Sequence, residues 1–205
     1  MATTTPNYGW PVPTSTDLVK DGATAIEALG DAIDATVFAL PGPGLVKINT
    51  TTLSAVASQS FNDVFSATYN NYYIQMSLDG STTNQDVNFR LRVAGADNSS
   101  ANYSRSNLFQ QSTTVTGQSL TGQTSWISVV EVISTMRQYG DLTVFNPFLT
   151  QYTGAISNSL AVTNGATYQE RTTYGSTITT SYTGFTLLVG TGTMSGTVSV
   201  YGYKI

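Results

Sequence analysis

Most of the chain alternates hydrophobic and polar residues, a period of two that is typical of β-strands with one buried and one solvated face. The clearest alternation runs over residues 72–78 and 87–93. Asn164-Gly165 lies between two further runs and indicates a hairpin turn. The pattern therefore predicts a mainly β fold, with an antiparallel, jelly-roll-like β-sandwich over residues 61–205.

A helical pattern is confined to the first forty residues. It predicts one short helix over residues 17–40, because a Ser/Thr/Asp cap precedes the run and Pro and Gly follow it. Thr24 and Glu27 match a capping box, so Gly22 is expected to separate a first turn from the main helix. Residues 41–60 are expected to form a Pro/Gly linker and then a first strand or a strand-like connector.

The apolar residues of this helix recur at heptad spacing, as in a coiled coil. They are Val19, Ile26, Leu29, Ile33 and Leu40. Because the stripe is narrow and the segment is short, the helix needs a partner surface. It packs either on its own β domain or against further copies of itself, and Ile at successive core positions permits a homotrimer. We expect the oligomer.

Residues 1–16 are predicted to form an extended arm, since Pro11 and Pro13 favour extended backbone in the residues that precede them. Tyr8 and Trp10 have no local core to enter on such an arm. They either fold back onto their own domain or anchor in a neighbouring subunit, as aromatic residues do at interface centres. We expect the second arrangement.

Charge is scarce and unevenly placed. Only 10% of the residues are charged, against about 25% in ordinary soluble domains. Residues 1–40 hold five acidic residues against one Lys, so the whole net charge of −4 lies there. No Lys/Arg cluster forms a phosphate-binding stripe, so nucleic acid is not an expected partner. A surface with few charges and many hydroxyl groups tends to self-associate unless an oligomer pairs its edges.

The chain contains no Cys and no His. Their absence removes disulfides, thiolate nucleophiles, imidazole bases and most zinc or copper ligand sets. The first residues lack the basic and apolar regions of a signal peptide, and no stretch approaches the length of a membrane span. We therefore expect no cofactor, no metal site and no membrane insertion, and synthesis in a cytoplasm.

Catalysis would have to rest on carboxylates, hydroxyl groups, Lys or Tyr. Glu131 stands out because it lies inside the apolar run 126–133, which is typical of a strand buried on both faces. A pair with Arg90, Arg92 or Arg137 at a subunit contact explains it more simply than a catalyst with a raised pKa. No second carboxylate is spaced with it as in a glycoside hydrolase. We therefore expect no enzyme activity.

A sugar-binding surface is a further candidate. Such surfaces place flat aromatic faces against sugar rings and planar polar groups against hydroxyls. Two segments mix Tyr with Ser, Asn and Gly in the manner of binding loops. Their candidate glycan contacts are Tyr103, Arg105, Tyr168, Tyr174 and Tyr182. The alternative is that these residues form the ordinary solvated face of a sheet.

The run PNYGWPVPTSTDLVKDGATAIEALGDAIDATV, residues 6–37, resembles a module near the start of minor tail and tail fibre proteins of tailed bacteriophages. The C-terminal run GTGTMSGTVSVYGYKI looks like the last strands of phage fibre tip domains. The resemblance implies a virion structural protein, commonly trimeric, with its β domain facing outward. It also implies docking to the particle through the N-terminal arm, with Tyr8, Trp10, Pro11 and Pro13.

The short connector indicates a compact spike rather than a long fibre. Three functions follow as alternatives. The first, which we expect, is a tail adsorption protein that recognises a host-surface glycan and contacts other virion proteins. The second is a capsid-attached head fibre or decoration protein with no essential ligand. The third is a glycan-degrading enzyme of the tailspike kind.

Overall fold

A computed structural model describes residues 3–14, 18–39, 44–82, 85–134, 136–163 and 166–204. The chain divides into two compact units, residues 1–43 and 44–205. This division falls within the Pro/Gly run that follows the helix in the sequence.

The N-terminal unit contains a small hairpin and one helix. Strand β1 (Thr3–Thr4) pairs antiparallel with β2 (Pro11–Val12), so the predicted extended arm is folded back on itself. Within this fold-back the Thr5 amide donates to the Trp10 carbonyl at 2.9 Å. A 3-10 turn (Val19–Asp21) then leads into α1 (Gly22–Ala39). The helix thus begins at the Gly that the sequence marks, while the predicted cap at 16–17 lies outside the described residues.

The second unit is an antiparallel β-sandwich, which confirms the predicted mainly β fold class. In spatial order the large sheet contains β3 (Gly44–Val56), β15 (Met194–Lys204), β5 (Asn71–Gly80), β11 (Gln138–Phe145), β12 (Gly154–Thr163), β13 (Ala166–Ser176), β8 (Tyr103–Gln111) and β9 (Thr114–Gln123). The small sheet contains β10 (Trp126–Val132), β6 (Gln85–Val93), β14 (Gly184–Val189) and β4 (Ser58–Phe61), and β7 (Ala96–Asp97) pairs with β6.

The sandwich begins at Gly44 rather than at residue 61. Strand β3 pairs with β15 along its whole length. Of the two alternatives for this segment, a first strand or a strand-like connector, it is therefore the first strand of the sandwich. Two irregularities in this pairing shift the register between the strands. They blur the period-two alternation, because a bulge moves the following side chains to the other face.

The predicted alternation reports the buried faces of β5 and β6 correctly. Tyr72, Ile74, Met76 and Leu78 are buried, and the residues between them are half-buried or exposed. Although the two strands are consecutive, β5 belongs to the large sheet and β6 to the small sheet. The hairpin strands β12 and β13 pair up to Thr163 opposite Ala166, and the predicted turn at Asn164-Gly165 lies outside the described residues.

A stack of aromatic rings fills the core against the small sheet. The Phe185 ring lies 4.5 Å from that of Phe61 and 4.6 Å from that of Phe89, between centroids. Trp126 extends the stack from Phe89 at 5.2 Å, and Phe65 packs on Phe185 at 5.8 Å. All five belong to one continuous hydrophobic core, which the inner residues of the large sheet complete. The sandwich therefore closes its own core.

Candidate functional site

Tyr103 and Tyr182, two of the predicted glycan contacts, are fully buried. The Tyr103 hydroxyl donates to the Asn98 carbonyl at 2.8 Å and accepts from the Leu91 amide at 3.1 Å. The Tyr182 hydroxyl accepts from the Asn98 side-chain amide at 2.8 Å. Both rings therefore anchor the loop that follows β7, and their prediction as sugar platforms is wrong.

Tyr174 is also buried, so its prediction as a glycan contact is wrong as well. Its hydroxyl donates to the Ser128 carbonyl at 2.8 Å, which links the large sheet to β10. Burial raises the pKa of the Tyr174 hydroxyl, as it does for Tyr103, so both phenols stay protonated and act as donors. These phenols hold the two sheets together.

The other two predicted contacts lie on the inner side of the large sheet. Tyr168 is half-buried and stacks on Phe109 at 5.8 Å between ring centroids. The Arg105 guanidinium donates to the Ile127 carbonyl at 3.1 Å and to the Gln118 side-chain carbonyl at 2.7 Å. The five predicted contacts therefore do not form one surface.

Arg105 instead lines a cleft of about 440 Å³, which we call the acid cleft; its other charged residues are Asp86, Glu131 and Glu170. Glu131 in β10 lies directly opposite Asp86 in β6. The Asn107 side-chain amide donates to Glu170 at 2.6 Å, and its buried oxygen has no partner within the described residues. Three carboxylates against one guanidinium make the cleft electronegative.

Within the chain, Glu131 does not pair with any of the predicted arginines. Arg92 forms an ion pair with Asp97, and Arg137 forms one with Asp79. The Arg90 guanidinium donates to a backbone carbonyl at 3.1 Å. Burial raises the pKa of the Glu131 carboxyl, and the neighbouring carboxylates Asp86 and Glu170 raise it further.

Replacing Glu131 by Gln is expected to stabilise the sandwich at pH 7 by about 0.2–1 kcal/mol, the usual cost of like charges on paired strands. Because the folded pKa lies above the unfolded value, ionisation destabilises the fold as the pH rises past the carboxyl range. The gain should therefore vanish near about pH 3, well below the ordinary Glu pKa of about 4.3, where the Glu131 carboxyl is uncharged in the folded and the unfolded state. Urea unfolding at the two pH values measures it.

Glu27→Gln is the matched control, because Glu27 is exposed on α1 and lies in the other unit. It should leave the unfolding of the sandwich unchanged at both pH values. An equal gain for Glu131→Gln at the two pH values would contradict the electrostatic explanation.

A larger groove, of about 730 Å³, crosses the outer face of the large sheet; we call it the sheet groove. Its residues form two rows that follow the strand register. In the first row Ser199, Gln75, Asp141 and Asn158 are successive partners on β15, β5, β11 and β12. In the second row Ser77, Tyr139, Leu160, Gln169 and Gln110 are successive partners on β5, β11, β12, β13 and β8.

The sequence did not single out any residue of the sheet groove. These side chains occupy the polar positions of alternating strands, where any solvated sheet face looks the same in the sequence. What makes them a group is the strand order, which brings β11 between β5 and β12.

In the N-terminal unit, Trp10 folds back onto the helix. Its indole nitrogen donates to the Thr36 hydroxyl at 2.9 Å, and Thr36 donates to the Ala32 carbonyl at 2.7 Å. Tyr8 stacks on Trp10 at 5.2 Å and is exposed, while Pro11 is half-buried. Pro13 is likewise half-buried. The role of these four residues in particle docking stays a prediction.

None of the residues of α1 is buried. Of the heptad residues, Val19 is 97% exposed and Ile26 is 65% exposed. Leu29 and Ile33 are half-buried, and Leu40 lies outside the described residues. The exposed side chains extend beyond the heptad to Phe38, which is 91% exposed and which the seven-residue spacing did not find.

Across the described ranges, no group of three or more Asp or Glu side chains is placed to hold a metal ion. No helix in those ranges is long and apolar enough to cross a membrane. No family model, curated protein or solved structure matches the chain.

Proposed function

We propose that the chain is a virion structural protein of a bacteriophage. It forms a short spike that is docked to the particle by its N-terminal unit and displays the sandwich for adsorption to the host surface. The observation that carries this proposal is an 18-residue helix without a buried residue. In proteins most of the stability of a helix comes from the packing of its apolar face against other elements. The N-terminal unit is therefore the end that binds a partner.

The contrast between the two units supports this assignment. The sandwich closes its own aromatic core, whereas the N-terminal unit exposes large apolar side chains such as Val19 and Phe38. Exposed apolar surface of this kind marks sites of protein–protein contact. The resemblance of residues 6–37 to a phage tail module points to the same end of the chain. The displayed unit carries the sheet groove.

The spike is a homotrimer in this proposal. Strand β9 supports self-association, because it is an edge strand of ten residues with no charged side chain and little burial. Edges of this kind attract further strands unless charge, Pro or a neighbouring chain protects them. The exposed heptad residues Val19 and Ile26 offer a second contact between copies.

Replacing Ile26 by Asp is expected to dissociate the trimer, because it puts a charge into the seam between helices. Ile26 is exposed within one chain, so the variant should keep the sandwich folded. Light scattering after size exclusion should give three times the 21.8 kDa chain mass before the change and a smaller mass after it. Thr24→Asp is the control: it adds the same charge at an exposed position five residues after Val19, on the opposite side of the heptad. A monomeric unmodified chain would contradict the trimer.

Particle imaging tests the function itself. Phage particles from the genome that encodes this chain would be labelled with gold-conjugated antibody against the sandwich. The proposal expects label at the tail and neutralisation of adsorption by the same antibody. Label over the head, with unchanged infection, would favour the decoration alternative, and particles without label would overturn the proposal.

A further inference from the structure

We propose that the sheet groove binds an uncharged oligosaccharide chain that lies across the strands of the large sheet. The proposed function supplies only the source of this ligand, a host surface; the binding chemistry rests on the groove. The groove spans six neighbouring strands, from β15 to β8. Five strand spacings of about 4.8 Å give a length of about 24 Å. This length suits an extended chain better than a single small molecule.

Free side-chain amides line the groove. Gln75, Gln110 and Gln169 are exposed, and none of them has a side-chain hydrogen-bond partner in the part of the chain that the structure describes. Each amide offers donors and an acceptor, and a sugar hydroxyl is likewise both donor and acceptor. Asn158 donates to Asp141 at 3.2 Å, which fixes these two side chains between the free amides. The groove thus presents oriented polar groups along its length.

A tyrosine ring provides the apolar part of the surface. Tyr139 is 53% exposed and lies opposite Leu160 of β12, which is also exposed. Tyr73 lines the same groove and packs on Tyr201 at 6.2 Å between centroids. Burial and the Asp141 carboxylate raise the pKa of the Tyr73 hydroxyl, which therefore stays a donor. An aromatic face beside planar amides suits a ring that is apolar on its faces and polar at its edge.

The charge of the groove selects an uncharged ligand. Asp141 is its one carboxylate, and no Lys or Arg is among the described residues that line it. Inside the groove an anionic polymer would meet the Asp141 carboxylate, while Arg171, which lies opposite Asn158 on β13, stands outside the lining. The carboxylate disfavours an anionic polymer electrostatically. The acid cleft differs from the sheet groove because it is lined by four charged residues, three carboxylates and Arg105. Neutral glycans therefore fit the sheet groove.

The test is titration of the full chain with defined hexasaccharides, followed by NMR and calorimetry. The neutral probes are hexamers of glucose, mannose, galactose and N-acetylglucosamine, and the charged probes are hexamers of hyaluronan and chitosan. We expect at least one neutral hexamer to bind and to shift amide signals of β5, β11 and β12. Tyr139→Ala should weaken that binding at least tenfold, the equivalent of about 1.4 kcal/mol.

Tyr152→Ala is the matched control, because Tyr152 is 68% exposed and does not line the groove. It should leave the affinity unchanged, and unchanged thermal unfolding of both variants would show that Tyr139→Ala acts on the site. No binding of any neutral hexamer up to about 10 mM would overturn the inference. So would binding of charged hexamers alone, or equal binding by the Tyr139→Ala variant. Each outcome is independent of particle labelling, so either proposal can fail alone.

Discussion

Replacing Phe185 by Ala is expected to lower the free energy of unfolding of the sandwich by about 3–5 kcal/mol. Phe185 is fully buried in β14, and its ring packs between those of Phe61 and Phe89. The truncation removes contacts to both neighbours at once. It also leaves a cavity that the flanking rings cannot fill without moving the small sheet.

Urea unfolding, monitored by the fluorescence of the buried Trp126, measures this loss. Phe38→Ala is the matched control, because it is the same substitution at a position that is 91% exposed and lies in the other unit. It should change the stability of the sandwich by less than about 0.5 kcal/mol. A loss below about 1 kcal/mol for Phe185→Ala would contradict an aromatic stack at the centre of the core.

Replacing Gly196 by Ala is expected to destabilise the sandwich by about 2–5 kcal/mol, or to prevent its folding. Gly196 has a φ of 131°, a backbone conformation that residues with a Cβ rarely adopt. A Cβ at this position would lie 2.1 Å from the Ser77 carbonyl oxygen. Since that oxygen belongs to the neighbouring strand β5, relief of the clash requires β15 to move in the middle of the large sheet.

Gly190→Ala provides the control, because a Cβ at Gly190 meets no atom within 4 Å. It should change the free energy of unfolding by no more than about 0.5 kcal/mol. Thermal unfolding and the yield of soluble protein compare the two variants. Equal stability of both would show that the close approach of β15 and β5 is not as described.

The sequence predicts the faces of strands well where the buried side is apolar. In β5 the inner residues from Tyr72 to Leu78 are all large and apolar, so the alternation of apolar and polar residues shows which face of the strand is buried. In β12 and β13 the inner face carries buried Ser157 and Thr172 beside Tyr174. There polarity no longer distinguishes the two faces, so the sequence predicts an exposed Tyr174 where the structure buries it.

The groove depends on information that no local pattern contains. Gln75 and Asp141 become neighbours only because β5 and β11 pair in one register. A shift of that register by one residue would send the groove side chains to the opposite face. The sequence therefore predicts solvated positions but not which of them meet.

Of the heptad residues, Val19 and Ile26 are exposed and Leu29 and Ile33 are half-buried, and the polar Thr36 follows Ile33 at the next core position of the heptad. In the structure the Thr36 hydroxyl accepts a hydrogen bond from the Trp10 indole nitrogen and donates one to the Ala32 carbonyl. The sequence pattern does not predict this hydrogen bond, because Trp10 and Thr36 are 26 residues apart and no local periodicity relates them. Val19 and Ile26 stay exposed after this contact.

In the proposed spike the N-terminal unit docks to the particle and the sandwich is displayed. Hydrogen–deuterium exchange of the chain, free and assembled on the particle, tests it most directly. The helix has no buried residue within one chain, and only the proposed trimer seam covers it before assembly, so the amides of residues 22–39 should exchange faster in the free protein than those of the sandwich core. On the particle they should become protected, while the outer strands of the large sheet exchange as before. Protection confined to the sandwich, with an unchanged helix, would contradict the account.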